Sequence, residues 1–202
     1  MAVRKAIFLD KDGTLIPDVP YNVDPDKISL SPNTVDGLLA LQQQGFMLLI
    51  ISNQSGIARG FFDHDALVIV EQKIQSLLQK YGLSLAGFYY CPHHPESVIA
   101  RYRLDCTCRK PKPGLILEAG LDHQIDLSQS WLIGDILHDI EAGHRAGCKA
   151  ILINNGNETD WEMNSQRIPD AMVQNIDEAA MYILNHIKRT DENEKGLPEA
   201  QR

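Results

Sequence analysis

Short apolar runs alternating with segments of helical spacing restrict this 202-residue chain to a narrow set of folds. Such runs, bounded by polar residues, read as strands buried on both faces. They fall at Ala6–Leu9, Met47–Ile51, Phe88–Tyr90, Trp131–Gly134 and Ala150–Ile153. Between them lie helical patterns. Asn33 can cap a helix whose inward stripe is Val35, Leu38 and Leu39 and which stops at Gly45. Asp63 or Asp65 opens a longer one, with Leu67, Val70, Ile74, Leu77 and Leu78 on one face and an end near Gly82. Leu115–Leu121 suits a short helix with Pro113 near its first turn, Ile140–Ala146 another, and Asp177–Ile187 a closing amphipathic one. Strands spaced by helices imply right-handed crossovers. The expected fold is therefore α/β, a Rossmann-like parallel sheet sandwiched by helices. It forms a single domain over residues 1–188, with a loop insertion at 91–108 and a charged, flexible tail over 189–202.

Ligands of such sheets bind at the carboxyl ends of the strands, so the chemistry belongs just after each run. Asp10-Lys11-Asp12-Gly13-Thr14 follows the first. Two carboxylates two residues apart aim one side chain at the site and leave the other reachable by a bend that Gly13 permits. Ser52-Asn53-Gln54-Ser55-Gly56 follows the second run, a hydroxyl with backbone donors suited to an anionic oxygen. Gly134-Asp135 follows the fourth, with Asp139 four residues on; Asp139 reads equally well as a helix cap. Arg109-Lys110-Pro111-Lys112-Pro113 is a cationic arm before the short helix. Carboxylate oxygens suit a hard cation such as Mg²⁺, which keeps waters and a substrate phosphate in its shell. Taken singly, each stretch also reads as a solvated turn or basic patch.

Taken in order, D-x-D-G-T, Ser52, Lys110-Pro111 and Gly134-Asp135 resemble the four motifs of the haloacid dehalogenase-like (HAD) phosphatases. Ser52–Gly60, SNQSGIARG, and the loop containing YCPHHP and CTCRKPKPG are similar to the D-glycero-D-manno-heptose bisphosphate phosphatases and, next, to the histidinol-phosphatase branch. The resemblance spans residues 6–153 and implies a HAD-like fold and a phosphoric monoester hydrolase. It implies Asp10 as the nucleophile that forms an aspartyl-phosphate, and Asp12 as the acid and base. Ser52 and Lys110 bind the phosphoryl oxygens in that scheme, and Mg²⁺ is held by Asp10, the Asp12 carbonyl and Asp135. Asn53, Gln54, Ser55, Arg59 and Arg109 become substrate contacts, and the stretch from Asp18 to Tyr21 meets the sugar. The implied reaction removes the 7-phosphate of a heptose 1,7-bisphosphate; histidinol phosphate or another small phosphomonoester is the alternative. One departure stands out. The heptose phosphatases carry a basic residue directly after the last motif Asp, whereas Ile136 and Leu137 follow Asp135 here, with His138 the nearest substitute.

Cys91-Pro92-His93 and Cys106-Thr107-Cys108 supply three thiolates and an imidazole, the donor set of a tetrahedral structural zinc. A loop of this length without regular structure is uncommon unless stapled. His94 competes as the nitrogen ligand; the family pattern picks His93, which projects to the same side as Cys91. A closed Zn²⁺ site has no open position and so no catalytic role, and its expected effect is to hold Arg109 and Lys110. Cys148 reads as a small buried hydrophobe.

Twenty-seven acidic and nineteen basic residues leave a net charge of −8, which argues against nucleic-acid and anionic-membrane partners. No run reaches the roughly 18 apolar residues of a membrane span, and Met1–Lys5 leads straight into a strand without a signal-peptide core. The expectation is a soluble, cytoplasmic monomer acting on a small phosphorylated sugar or metabolite. The stretch between Asp12 and Asn33 is too short for a separate cap domain. A catalytically inactive phosphate-binding module is the alternative from another class; the joint presence of Asp10, Asp12, Ser52, Lys110 and Asp135 argues against it.

Overall fold

The computed structural model describes residues 4–195. Six parallel strands form one sheet in the order β3-β2-β1-β4-β5-β6. They are β1 (Lys5–Leu9), β2 (Phe46–Asn53), β3 (Leu85–Cys91), β4 (Trp131–Gly134), β5 (Lys149–Ile153) and β6 (Ala171–Val173). Five coincide with the apolar runs. β6 is a three-residue, half-exposed edge strand, and no apolar run in the sequence announces it.

Alternation along β1 divides the core. Ile7 and Leu9 face Leu38 and Leu41 of α1 (Val35–Gln43), Val70, Ile74 and Leu78 of α3 (His64–Gln79), and Ala180 and Ile183 of α6 (Ile176–Lys195). Ala6 and Phe8 face Leu115, Ile116 and Ala119 of α4 (Gly114–His123) and Ala142 and Ala146 of α5 (Leu137–Ala146). Each fully buried large aliphatic or aromatic side chain contributes roughly 1.5–3 kcal/mol. A short helix, α2 (Ser55–Ala58), follows β2 directly. Ile7 of β1 registers with Leu48 of β2 and Trp131 of β4, so β1 sits centrally and its carboxyl end lies between those of its neighbours.

Three helix ends refine the expectations. Asn33 does not cap α1: it takes a left-handed φ of 54°, Thr34 occupies the cap position, and the Gly37 amide is satisfied instead by Asp177 Oδ1 of α6 at 2.7 Å. Asp63, not Asp65, caps α3, accepting from the Ala66 amide at 3.1 Å. Helix α6 continues to Lys195, past the expected start of a flexible tail at 189; residues 196–202 lie outside the described residues. Among the described residues no helix is long and apolar enough to cross a membrane.

Candidate active site

The chain after β1 turns back at once. Gly13 donates to the Ile16 carbonyl at 2.8 Å and holds φ at +83°. A Cβ there would lie 2.0 Å from Asp135 Oδ2, so only glycine lets the turn pass this close to the carboxylate after β4. The Asp10 amide donates to the Ile133 carbonyl at 2.9 Å, which locks the ends of β1 and β4 together. Asp10, Asp12, Ser52, Asn53, Lys110, Asp135 and Ile136 line one cavity of about 220 Å³ at these strand ends, with Asp18 and Asn157 at its border.

Lys110 organises the buried charges. Its Nζ pairs with Asp10 Oδ1, lies 2.6 Å from Asp139 Oδ1, and donates to the Ile51 carbonyl at 2.9 Å. Burial opposes its charge, but Asp10 and Asp139 outweigh burial and hold its pKa above the usual lysine value. Its backbone is fixed as well: Lys110 N donates to Asn53 Oδ1 at 3.0 Å, and Asn53 Nδ2 donates to the Lys110 carbonyl at 3.1 Å. Asn53, expected as a substrate contact, thus spends its side chain positioning Lys110. Asp139 combines both of its readings. Its Oδ2 accepts from the Ile136 amide at 3.2 Å at the start of α5, while Oδ1 faces Lys110.

Burial first, then the nearby carboxylates Asp139, Asp135 and Asp12, raise the Asp10 carboxyl well above the usual carboxylate range, against the pull of Lys110. Asp135 is pushed up to about 6, by burial and by Asp139, against hydrogen bonds from Asn157 and Thr14. Asp10, Asp135 and Asp139 offer buried oxygens within 4.8 Å of one another. One lysine among three buried carboxylates leaves an uncompensated negative charge in a low dielectric. An all-oxygen set with that imbalance fits a hard divalent cation such as Mg²⁺.

Asp12 stands apart from this cluster. Its Oδ1 pairs with the buried Lys11 at 2.7 Å, and its Oδ2 accepts from Gln54 Nε2 at 3.1 Å. Gln54 Nε2 also donates to Ser52 Oγ at 2.8 Å, so one amide aligns the second carboxylate with the hydroxyl after β2. Asp18, Tyr21, Asn53, Gln54 and Ser55 line an adjoining cavity of about 290 Å³, where Tyr21 packs edge-on against Phe61 at 4.7 Å. Two expected substrate contacts stand elsewhere. Arg59 is an exposed residue at the end of α2, outside these two cavity walls. Arg109 borders a different cavity of about 240 Å³ with Lys110, Lys112, His138 and Arg145, while its guanidinium donates to the His93 carbonyl at 3.3 Å.

Cys91, His93, Cys106 and Cys108 converge beside this arm. The sulfurs of Cys91, Cys106 and Cys108 stand 3.1, 3.2 and 3.5 Å apart, and His93 Nδ1 lies 3.3 Å from Cys108 Sγ and 3.7 Å from Cys91 Sγ. Four ligands roughly 2.0–2.3 Å from a zinc ion stand only a little further apart than this. Thiols of Cys91 and Cys106 directed at Cys108 push its pKa down to about 5, so the cluster already favours a thiolate. The donor set fits Zn²⁺, and His94 lies outside it.

Two residues that sequence reasoning missed come from the loop after β5. Asn157 Nδ2 donates to Asp135 Oδ2 at 2.7 Å, and Asn155 Nδ2 donates to the Gly13 carbonyl at 2.7 Å. The strand-end rule points to Asn154-Asn155-Gly156-Asn157 as directly as to Asp10, but uncharged amides carry no signature of chemistry.

A central parallel strand ending in a buried acid–lysine cluster, with no separate cap domain among the described residues, defines a phosphoryl-transfer site of the HAD type. The HAD-hydrolase-like family model matches residues 107–179. The D-glycero-beta-D-manno-heptose-1,7-bisphosphate 7-phosphatase of Haemophilus influenzae is 40% identical over 161 residues, covering 79% of this chain and 87% of that protein. Its namesake from Escherichia coli K12 is 37% identical, covering 79% and 88%. A HAD-like phosphatase from Mesorhizobium loti superposes with a TM-score of 0.79 at 30% identity, over 91% of this chain and 87% of that one. The D,D-heptose 1,7-bisphosphate phosphatase of B. bronchiseptica, solved with magnesium and phosphate, gives a TM-score of 0.73 at 27% identity, over 90% and 99%. The chain belongs to the HAD-like phosphatases, among the relatives of the heptose bisphosphate 7-phosphatases, and is a phosphoric monoester hydrolase.

Proposed function

We propose that this protein is a Mg²⁺-dependent phosphatase that removes the 7-phosphate of D-glycero-D-manno-heptose 1,7-bisphosphate through an aspartyl-phosphate on Asp10. The observation that carries this reading is the Lys110 ammonium between Asp10 and Asp139, with Asp135 in ligating reach. Lys110 holds Asp10 close at hand, and Asp10 attacks phosphorus as the phosphorus–oxygen bond to the sugar breaks. Asp12, aligned by Gln54, gives its proton to the departing sugar oxygen. Water then attacks the phosphoryl group, its proton passes to Asp12, and the bond to Asp10 breaks to release phosphate. Ser52 and Lys110 bind the phosphoryl oxygens as charge redistributes.

Asp10, the Asp12 carbonyl and Asp135 would hold Mg²⁺, with Asp139 behind them. When bound, it neutralises carboxylate and phosphate charge so that the two anions can approach. The magnesium and phosphate in the B. bronchiseptica relative, and the names of the curated relatives, support the assignment. Zn²⁺ in the Cys91, His93, Cys106 and Cys108 cluster would be structural and would hold the loop that delivers Lys110.

Ile136 favours a second reading within the same chemistry. It lines the cavity wall in the place where the heptose phosphatases carry a basic residue, so another small phosphomonoester, histidinol phosphate among them, competes as substrate. A kcat/KM panel with Mg²⁺ decides between the two. Heptose bisphosphate should exceed histidinol phosphate and 4-nitrophenyl phosphate by roughly 100-fold or more, about 2.7 kcal/mol in transition-state binding. A flat profile removes the heptose assignment.

A further inference from the structure

A cleft of about 480 Å³ lies on the β5 side of the turn at Gly13, across Asp18 from the cavities described above. Its floor includes the buried Ile153 and Ile176, and its polar lining includes Ser31, Asn33, Thr34, Asn157 and Gln174. Asp18 is its one charged lining residue, and no lysine, arginine or histidine borders it among the described residues. A phosphate has nothing to pair with there. Amides and hydroxyls both donate and accept, which is what a sugar hydroxyl requires of its neighbours. The volume lies within the usual range of small-molecule sites.

Much of this hydrogen-bonding capacity is unspent. Asn33 and Gln174 expose their amides to solvent at the rim and Ser31 is half-buried, while Thr34 Oγ1 is buried without a partner among the described residues. A buried hydroxyl left unpaired is uncommon in a native fold and calls for a partner from elsewhere. The cleft also touches the reaction centre, because Asn157, which holds Asp135, forms part of both walls. We infer that this cleft binds an uncharged polyhydroxyl group, either the sugar of the phosphorylated substrate or a free sugar. Only the first of these sources rests on the phosphatase reading above.

Two measurements test it. Unphosphorylated D-glycero-D-manno-heptose, titrated into the full chain without Mg²⁺, should give saturable ligand-observed NMR signals. Asn33→Ala and Gln174→Ala should each weaken that binding roughly five- to tenfold, as expected for a lost hydrogen bond. In parallel, the ratio of kcat/KM for heptose bisphosphate to that for 4-nitrophenyl phosphate is compared in the same variants. A fall in both binding and ratio assigns the cleft to the substrate's sugar. A fall in binding at constant ratio assigns it to a free sugar. Absence of heptose binding to the parent protein, or equal binding by both folded variants, overturns the inference. Failure of the parent protein to hydrolyse either phosphate counts against the proposed function and leaves the binding arm to decide the cleft.

Discussion

Asn157 holds Asp135 from a loop 22 residues further along the chain, its Nδ2 lying 2.7 Å from Asp135 Oδ2. Thr14 Oγ1 contacts the other carboxylate oxygen at 3.2 Å, so Asp135 is gripped from two loops at once. Groups that orient a metal ligand commonly matter to metal affinity by 10–100-fold. Asn157→Ala should therefore raise the Mg²⁺ concentration for half-maximal activity at least roughly tenfold, and weaken Mn²⁺ binding measured by EPR in step. Unchanged metal dependence with full activity would show that the contact merely folds the loop.

Asp10→Asn should reduce phosphate release by roughly 10³-fold or more, as removal of a nucleophile does. The chain should stay folded. Burial and three neighbouring carboxylates already strain the Asp10 charge, so a neutral amide of the same shape relieves repulsion while losing one of Lys110's partners. Circular dichroism and urea unfolding check the fold, and turnover is read in the same preparation. Comparable turnover would sink the covalent route.

Metal analysis of protein purified without chelator should give about one zinc per chain. Cys106→Ser should lower stability and zinc content together, because the site's binding energy is folding energy for the loop. Arg109 donates to the His93 carbonyl and Lys110 follows directly, so activity should fall as the loop loosens. A zinc-free parent protein of equal stability refutes the site.

The strand ends were readable because burial on both faces leaves continuous apolar runs, and because charged residues after them are conspicuous. Asp10, Asp135 and Lys110 surfaced that way, and the structure brings them together. What escaped notice was neutral or distant. Asn155 and Asn157 look like any polar loop. Asp177 caps α1 across 140 residues, which no local cap rule can see. β6 is too short and too exposed for a period to show. Asn53 and Arg109 read as substrate contacts from their place in a motif; in the structure Asn53 also fixes the Lys110 backbone, and Arg109 donates to the His93 carbonyl of the Cys/His loop. A motif gives proximity; only the hydrogen bonds say what each side chain is doing.

The loop that carries Asn155 and Asn157 is itself anchored by a titratable pair. His144 of α5 presents Nε2 to Asp170 Oδ2 at 3.0 Å and Nδ1 to the Gln166 carbonyl at 2.8 Å. Both partners are acceptors, so only the doubly protonated imidazolium satisfies both. The hydrogen bond to Asp170 accordingly raises the His144 pKa above the usual histidine value. Burial opposes ionisation of Asp170, but the His144 and Ala150 hydrogen bonds outweigh it and lower its pKa. The signs are opposite. The raised histidine stabilises the fold fully below its unfolded value of about 6.5 and loses that effect as pH rises through its higher folded value. The lowered aspartate stabilises above its unfolded value of about 3.9 and fails as pH falls through its folded value. The pair is therefore strongest between about pH 4 and 6.5. His144→Gln should cost more stability at pH 5.5 than at pH 8.5, measured by urea unfolding at fixed Mg²⁺. An equal cost at both pH values would mean that His144 titrates alike in the folded and unfolded chain, and that the Asn155–Asn157 loop is held by other contacts.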